Sequence, residues 1–254
     1  AHDLVQLQIC LLSTDPSGPA QLEAFNTIAA AATTRDSALN PGGRPRRVDE
    51  LPARVVLAEL EQRAGRRAGA ADARVLLGVG GDQLEPVWAD LAAASPGFVI
   101  AGPPRSGRST TLSCVAASLR AAGWFTMLVT ARLSPAVGWS DAAVKATDPR
   151  LADALAAPKE RLAVLVDDAE LVLDTPAASP LERFAREARD GGHLFAVAGT
   201  TEDLAVGFRG FVVEARRSRC GVLLAPRGPL DGEAFGVRLP RDIAGLLPPG
   251  RGLL

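Results

Sequence analysis

The feature that most constrains this chain is a short loop bounded by two glycines, GPPRSGRST at residues 102–110. The loop follows the apolar run FVIA at residues 98–101 and precedes a helical pattern at residues 111–119. Its spacing, G-x-x-x-x-G followed by a basic residue and Ser or Thr, is that of a phosphate-binding P-loop between a strand and a helix. Backbone N–H groups in such a turn form a concave anion site, and the helix N-terminus adds its positive dipole end. The alternative is a helix N-terminus that carries glycines for other reasons.

The motif departs from its consensus at one position, because Arg108 stands where the motif has Lys. Arg keeps the positive charge but presents a wide planar fork with a different reach, so the exchange is not conservative. We therefore expect weak ATP binding and poor hydrolysis. A high-GC coding bias is a second explanation for Arg108, since Lys145 and Lys159 are the only lysines. The loop residues expected to contact the nucleotide are Gly102, Arg105, Ser106, Gly107, Arg108, Ser109 and Thr110.

A second candidate element lies in the segment RLAVLVDDAEL at residues 161–171. In this segment an apolar run is followed directly by the paired carboxylates of Asp167 and Asp168. Five apolar residues in a row suit a central parallel strand that is buried on both faces. Ligands bind at the carboxyl ends of such strands, so Asp167 together with Ser109 is predicted to hold Mg²⁺. Asp168 stands where many ATPases have a Glu that polarises water, and Asp is one methylene shorter. The candidate catalytic residues are therefore Asp168, as a degenerate replacement, and Arg108. The alternative is an ordinary helix N-terminal turn, where Asp is favoured in any case.

A third buried strand is predicted in GGHLFAVAGTT at residues 191–201. In P-loop ATPases, the strand beside the acidic one ends in a polar sensor near the γ-phosphate. Thr200 or Thr201 fits that position, and Thr200 is taken as the cofactor-binding residue. His193 precedes the strand and is assigned no role.

Composition narrows the possible partners. The chain has 254 residues and a net charge of −1, so no basic excess commits it to nucleic acid. Three scattered cysteines suggest neither a zinc site nor a disulfide framework, and they fit a reducing compartment. No run approaches 18 apolar residues, and the start does not look like a signal peptide. We expect a cytoplasmic location, with any membrane link outside this chain.

The organisation predicted from the sequence has three parts. Residues 1–33 contain a strand at 4–12 and a helix at 17–32, and residues 34–47 are a Pro-, Gly- and Arg-rich linker. Residues 48–254 form the main domain, with a short helix at 56–63 and a hairpin before the P-loop strand. Further strands are expected at 124–131 and 221–225, and helices at 151–156 and 178–189. Strands that alternate with helices predict an α/β fold with a mostly parallel sheet and helices on both faces.

Four segments resemble the FtsK/SpoIIIE group of P-loop ATPases, and most closely the tandem modules of type VII secretion proteins of the EccC kind in actinobacteria. The first segment is residues 76–112, which contain the P-loop. The other three are the acidic strand, the sensor strand and the closing segment 220–254. The Gln or Arg often found in the sensor strand is missing here. The resemblance implies ATP and Mg²⁺ as ligands. It also implies a last strand and helix after the PPGRG turn, before which this chain ends. Residues 1–33 look like that closing strand and helix, either of a preceding module or of this one; the alternative is an unrelated N-terminal strand and helix.

Three functions remain open from the sequence. The first is a degenerate nucleotide-binding module that regulates neighbouring ATPase modules of the same polypeptide, in a motor that moves secreted protein. The second is a non-enzymatic docking domain with a vestigial P-loop, in which a hydrophobic pocket receives a signal peptide or the adjacent module. The third is an active DNA translocase, which the charge of the chain disfavours.

Overall fold

A computed structural model describes residues 10–39, 48–65, 73–94, 97–157, 160–207, 209–241 and 248–254. Its contacts divide the chain into two units, Ala1–Asp49 and Glu50–Leu254. In the first unit, helix α1 spans Gly18–Leu39. The side chain of Gln21 ties the preceding turn to this helix, because it accepts from the N–H of Leu12 at 2.8 Å and donates to the carbonyl of Ser13 at 3.0 Å.

The second unit alternates strands and helices along the chain. Its strands are β1 (Arg74–Gly80), β2 (Glu85–Asp90), β3 (Phe98–Ala101), β4 (Phe125–Thr130), β5 (Ala142–Lys145), β6 (Leu162–Asp167), β7 (Leu194–Gly199), β8 (Gly221–Leu224) and β9 (Gly252–Leu253). Its α-helices are α2 (Leu57–Ala64), α3 (Arg108–Ala121), α4 (Leu151–Ala156), α5 (Ala169–Val172), α6 (Ala178–Glu187), α7 (Thr201–Ala205) and α8 (Phe211–Arg216). Short 3₁₀ helices lie at Pro135–Trp139 and Pro229–Phe235.

The described strands form two sheets. Strands β1 and β2 make an antiparallel hairpin, and the other seven form a sheet in the order β5-β4-β6-β7-β3-β8-β9. Neighbouring strands in the larger sheet are parallel except β9, which runs antiparallel to β8. The carboxyl ends of β3, β4, β6 and β7 therefore meet at one edge of the sheet, where open α/β folds bind ligands.

Helices cover both faces of this sheet, as predicted. Residues of β6 alternate between two apolar clusters, with Val164 in one and Leu165 in the other. Helices α6 and α8 pack in the cluster of Val164, whereas α3 and the hairpin pack in that of Leu165. This two-sided burial explains why β3, β6 and β7 are continuous apolar runs rather than alternating ones.

Several elements differ from the sequence predictions. Helix α1 continues to Leu39 and so enters the tract expected to be a linker, while residues 40–47 lie outside the described residues. Of the strand expected at 4–12, residues 4–9 are not described and residues 10–12 are not in a strand. At the end of the PPGRG turn, Gly252 and Leu253 form a short strand that pairs with β8. Among the described residues, no helix combines the length and hydropathy needed to cross a membrane.

Candidate functional site

The loop between β3 and α3 has the backbone of an anion-binding turn. Arg105 and Gly107 have positive φ angles of 67° and 105°, and they flank Ser106. Alternation of this kind turns successive N–H groups toward one concavity. Helix α3 begins directly afterwards, so its first N–H groups, which have no partner inside the helix, face the same end. Gly102 is needed for close packing, since a Cβ there would lie 2.5 Å from the Ser106 hydroxyl.

Arg108 is buried at the base of this loop and points toward the acidic strand. It is 7% exposed. Its guanidinium lies 3.4 Å from Oδ1 of Asp168 and 3.3 Å from Oε1 of Glu170. Both distances are at the long end for hydrogen bonds, so each contact is weak although the charges are opposite. The two candidate catalytic residues, Arg108 and Asp168, therefore contact each other, and Glu170 is a third member of the cluster.

Asp168 has a closer partner, Arg132, which follows β4. Nε and Nη2 of Arg132 donate to the two oxygens of Asp168 at 2.5 and 2.7 Å. Planar two-point contact of this kind is the strongest geometry for an arginine and a carboxylate. The hydrogen bonds and the charge of Asp168 raise the pKa of Arg132 above its usual range. Asp168 is 4% exposed and has a positive φ of 50°, a conformation that Asp tolerates better than most residues.

Asp167 lies at the end of β6 and is 1% exposed. The hydroxyl of Ser109, at the start of α3, donates to its Oδ1 at 3.2 Å. The hydroxyl of Ser134 donates to its Oδ2 at 2.6 Å. The two residues predicted to hold Mg²⁺, Ser109 and Asp167, are thus adjacent, and Ser134 is an additional neighbour. Magnesium bound with a nucleotide takes most of its ligands from phosphates and water. Among the residues that the structure describes, no group of three or more His, Cys, Asp or Glu is placed to hold a metal ion.

Thr200 directly precedes helix α7, and its hydroxyl caps the N-terminus of the helix. The hydroxyl accepts from the N–H of Asp203 at 3.2 Å and donates to the carboxylate of the same residue at 2.5 Å. Its backbone N–H donates to Oε2 of Glu170 at 3.3 Å, which joins the end of β7 to the acidic cluster. The neighbouring Thr201 has a buried hydroxyl that meets no hydrogen-bond partner in the described parts of the chain.

The remaining residues of the P-loop differ in their exposure to solvent. Arg105 and Thr110 are exposed, whereas Ser106 is buried and its hydroxyl has no hydrogen-bond partner among the residues described. The Ser106 carbonyl accepts from the N–H of Gly250 at 2.9 Å. This bond fastens the turn that precedes β9 against the P-loop, so the closing segment helps to shape the site.

A cavity of about 330 Å³ lies beside the loop. Its walls come from the P-loop helix, the hairpin, the segment before α2 and the turn before β9, through residues that include Val55, Leu77, Thr111, Cys114 and Arg251. Arg251 closes one side, because its Nη2 donates to the carbonyl of Leu51 at 2.5 Å. Burial, and secondarily the charge of Glu61, raise the pKa of the Cys114 thiol.

Sequence reasoning missed Arg132, Ser134 and Glu170. A signal for the first two exists, since they directly follow a predicted strand and every parallel strand ends at the same edge. No motif fixes which neighbouring strand lies beside β6, so the pairing of Arg132 with Asp168 needed the strand order. Glu170 lies in helix α5, and no role was assigned to it in the sequence analysis, which considered a helix turn here only as an alternative.

No protein-family model matches this sequence. No curated protein matches it either. Solved structures do, at modest identity. The cytoplasmic domain of EssC matches with a TM-score of 0.58 and 17% identity over 89% of this chain and 50% of that chain. EccC ATPases 2 and 3 from Thermomonospora curvata, solved with a signal sequence peptide, match with a TM-score of 0.58 and 21% identity over 94% of this chain and 46% of that chain.

The cytoplasmic domain of the T. curvata type VII secretion ATPase EccC matches with a TM-score of 0.57 and 19% identity, over 94% of this chain and 30% of that chain. The chain therefore has the fold of EssC and EccC ATPase domains and spans half of these structures or less. The resemblance predicted from four sequence segments is confirmed at the level of the fold.

Proposed function

We propose that this chain is a nucleotide-binding module of an FtsK/SpoIIIE-type, type VII secretion-like ATPase, and that it binds Mg-ATP weakly and hydrolyses it poorly. The observation that carries the proposal is the state of Arg108. It occupies the P-loop position that serves the phosphates, yet its guanidinium contacts Asp168 and Glu170. A phosphate has to compete with two carboxylates for this group, which lowers the net gain on binding.

The phosphate site fits the residues present. The buried Ser106 hydroxyl has no partner within the described residues, and the loop leads directly into the N-terminus of α3, whose first N–H groups have no partner inside the helix. Ser109 and Asp167 are placed to hold Mg²⁺ and its waters, which would supply charge neutralisation at the phosphates. The cavity of about 330 Å³ beside Thr111 has room for a base and ribose next to the loop.

Poor hydrolysis follows from Asp168. A group that polarises water needs an accessible oxygen at the right reach, and Asp is one methylene shorter than the Glu usual at this position. Both oxygens of Asp168 are also engaged by Arg132. The carboxylate therefore neutralises a guanidinium instead of activating water.

The role of such a module is regulatory. The matched EccC structure contains two ATPase modules, of which this chain corresponds to 46% of the length. We infer that nucleotide binding here sets the contact with neighbouring modules of one polypeptide, at the cytoplasmic face of a membrane-anchored motor.

Calorimetric titration with Mg-ATP and a phosphate-release assay test the proposal. We expect measurable binding and turnover below about 1 per second, under the usual enzyme range. Arg108→Lys is expected to tighten binding about fivefold, roughly 1 kcal/mol, because one compact ammonium cannot bridge two carboxylates. Arg120→Lys on the same helix, where Arg120 pairs with Asp141 away from the site, is the matched control and should change neither quantity. Turnover well above 1 per second in the unaltered chain would contradict the proposal.

A second candidate is a docking domain with a vestigial P-loop. A cavity of about 640 Å³ lies elsewhere on the unit, with mostly apolar walls that include Trp88, Phe98, Phe235 and Leu253. A cavity of this size and character suits an apolar peptide, and the T. curvata EccC structure holds a signal sequence peptide. A folded chain that binds no Mg-ATP, with Arg108 or with Lys in its place, would favour this candidate over the first.

A further inference from the structure

Arg132 and Arg108 share one buried carboxylate, and they do so unequally. Arg132 reaches Asp168 at 2.5 and 2.7 Å through two donors, whereas Arg108 reaches it at 3.4 Å through one. The short two-point contact satisfies both oxygens of Asp168. Arg108 is therefore the partner that Asp168 loses at smaller cost.

The second carboxylate that contacts Arg108 also has another donor. Glu170 accepts from the backbone N–H of Thr200 at 3.3 Å, in addition to Arg108 at 3.3 Å. When Arg108 moves toward a phosphate, neither Asp168 nor Glu170 is left without a hydrogen bond. A buried carboxylate without any partner is costly, so these second donors decide whether Arg108 is free to move.

We propose that Arg132 is a positioning residue that neutralises Asp168 and thereby releases Arg108 to a bound polyphosphate chain. The inference rests on the proposed function, since it concerns the same site. The inference goes beyond the proposed function, because Arg132 lies outside the P-loop and is not a residue of the P-loop motif. Its side chain is 61% exposed, so its direct attraction for an anion is screened by solvent. Its effect passes through Asp168.

The test is a double-mutant cycle in the full chain, with Mg-ATP and inorganic tripolyphosphate as separate probes. Arg132→Ala is expected to weaken binding of both by about tenfold, because Arg108 then remains the sole cation on Asp168. In an Asp168→Asn background, the same change is expected to cost about twofold at most, since no charge at residue 168 then retains Arg108. Arg132→Lys should recover part of the loss, as it restores the charge without the fork.

Arg150→Ala is the matched control. Arg150 makes the same two-point contact, with Asp148 at 3.1 and 2.9 Å, but on an exposed turn away from the site. It should leave binding of both probes unchanged. An equal loss for Arg132→Ala in both backgrounds would mean that Arg132 touches phosphate directly, and no loss in either would mean that it does not act on the site. Each result overturns the proposal.

A second measurement needs no nucleotide. Arg108→Met and Arg132→Met each leave Asp168 one guanidinium, so each is expected to lower the Tm slightly, and together they are expected to lower it by more than the sum. Additive shifts would overturn the sharing of Asp168. A wild-type chain that binds neither probe would refute the proposed function, while this cycle would still decide whether the two arginines share the carboxylate.

Discussion

At the scale of single residues, the candidate site is made mostly of buried charged side chains. Arg108, Asp167 and Asp168 are each less than 8% exposed, and every one has an oppositely charged or hydroxyl partner. Groups of this kind are retained in proteins only when they are paired. The P-loop residues were predictable, because they follow a motif whose spacing has a mechanical reason. Arg132, the nearer partner of Asp168, was not, because this contact depends on which strands are neighbours.

The residue-scale prediction concerns Asp167→Asn. This change should abolish the magnesium dependence of nucleotide binding, because it removes the charge that the cation requires. The fold should be nearly unchanged, with a loss of less than about 1 kcal/mol in the free energy of unfolding. The Asn carbonyl still accepts from Ser109, and its amide can donate to Ser134. Titrations with and without Mg²⁺, together with thermal unfolding, measure both quantities.

Asp153→Asn, at an exposed position in α4, is the control for that change and should alter neither quantity. A magnesium effect of unaltered size in Asp167→Asn would remove Asp167 from the metal site.

At the scale of elements, the continuous apolar strands and the long helix α3 were predictable, since their patterns extend over several residues. The predictions for β3, β6 and β7 agree with the structure to within about three residues at each end. Edge strand β5 was missed because it is only four residues long and half of it is exposed. Helices α5 and α7 are a single turn each and carry too little periodicity to be recognised.

The element-scale prediction concerns the junction of β3 and β8. A Cβ at Gly221 would lie 1.9 Å from the carbonyl oxygen of Val99 and 2.7 Å from the ring of Phe235. The backbone oxygen belongs to the strand that precedes the P-loop, so it cannot move without distorting the loop. Gly221→Ala should therefore lower the free energy of unfolding by roughly 3 kcal/mol or more, within the range seen for overpacked or strained sites.

Gly138→Ala is the matched control, because a Cβ at residue 138 would meet no atom within 4 Å. Denaturant unfolding should show little change for this variant. If the two variants proved equally stable, close packing of β3 against β8 would be excluded as a determinant of the fold.

At the scale of the whole molecule, the chain resembles one part of longer chains. It matches half or less of the EssC and EccC structures, and its contacts form two units divided after Asp49. The sequence could predict the α/β class and the resemblance, because both rest on long patterns. The relation of residues 1–33 to a module remains a prediction, since residues 1–9 are outside the described residues.

The whole-molecule prediction is that this chain does not bind duplex DNA by itself. Phosphate neutralisation supplies most non-specific affinity, so a chain with a net charge of −1 has to concentrate its arginines on one face. One local arginine cluster, at residues 216–219, makes contacts within the protein. Arg217 pairs with the buried Glu214 at 2.6 Å, and Arg216 donates to the carbonyl of Val206 at 3.4 Å.

These contacts engage two of the three arginines of the cluster, Arg216 and Arg217, within the protein. In a mobility-shift assay at physiological salt, we therefore expect no binding of duplex DNA below about 1 µM, which is tighter than ordinary non-specific binding. Lowering the salt should produce only weak binding, because a chain with a net charge of −1 has no excess of basic groups to displace counterions from the phosphates. Sub-micromolar affinity that falls steeply with added salt would contradict this and would favour a DNA translocase over a module that acts through neighbouring protein.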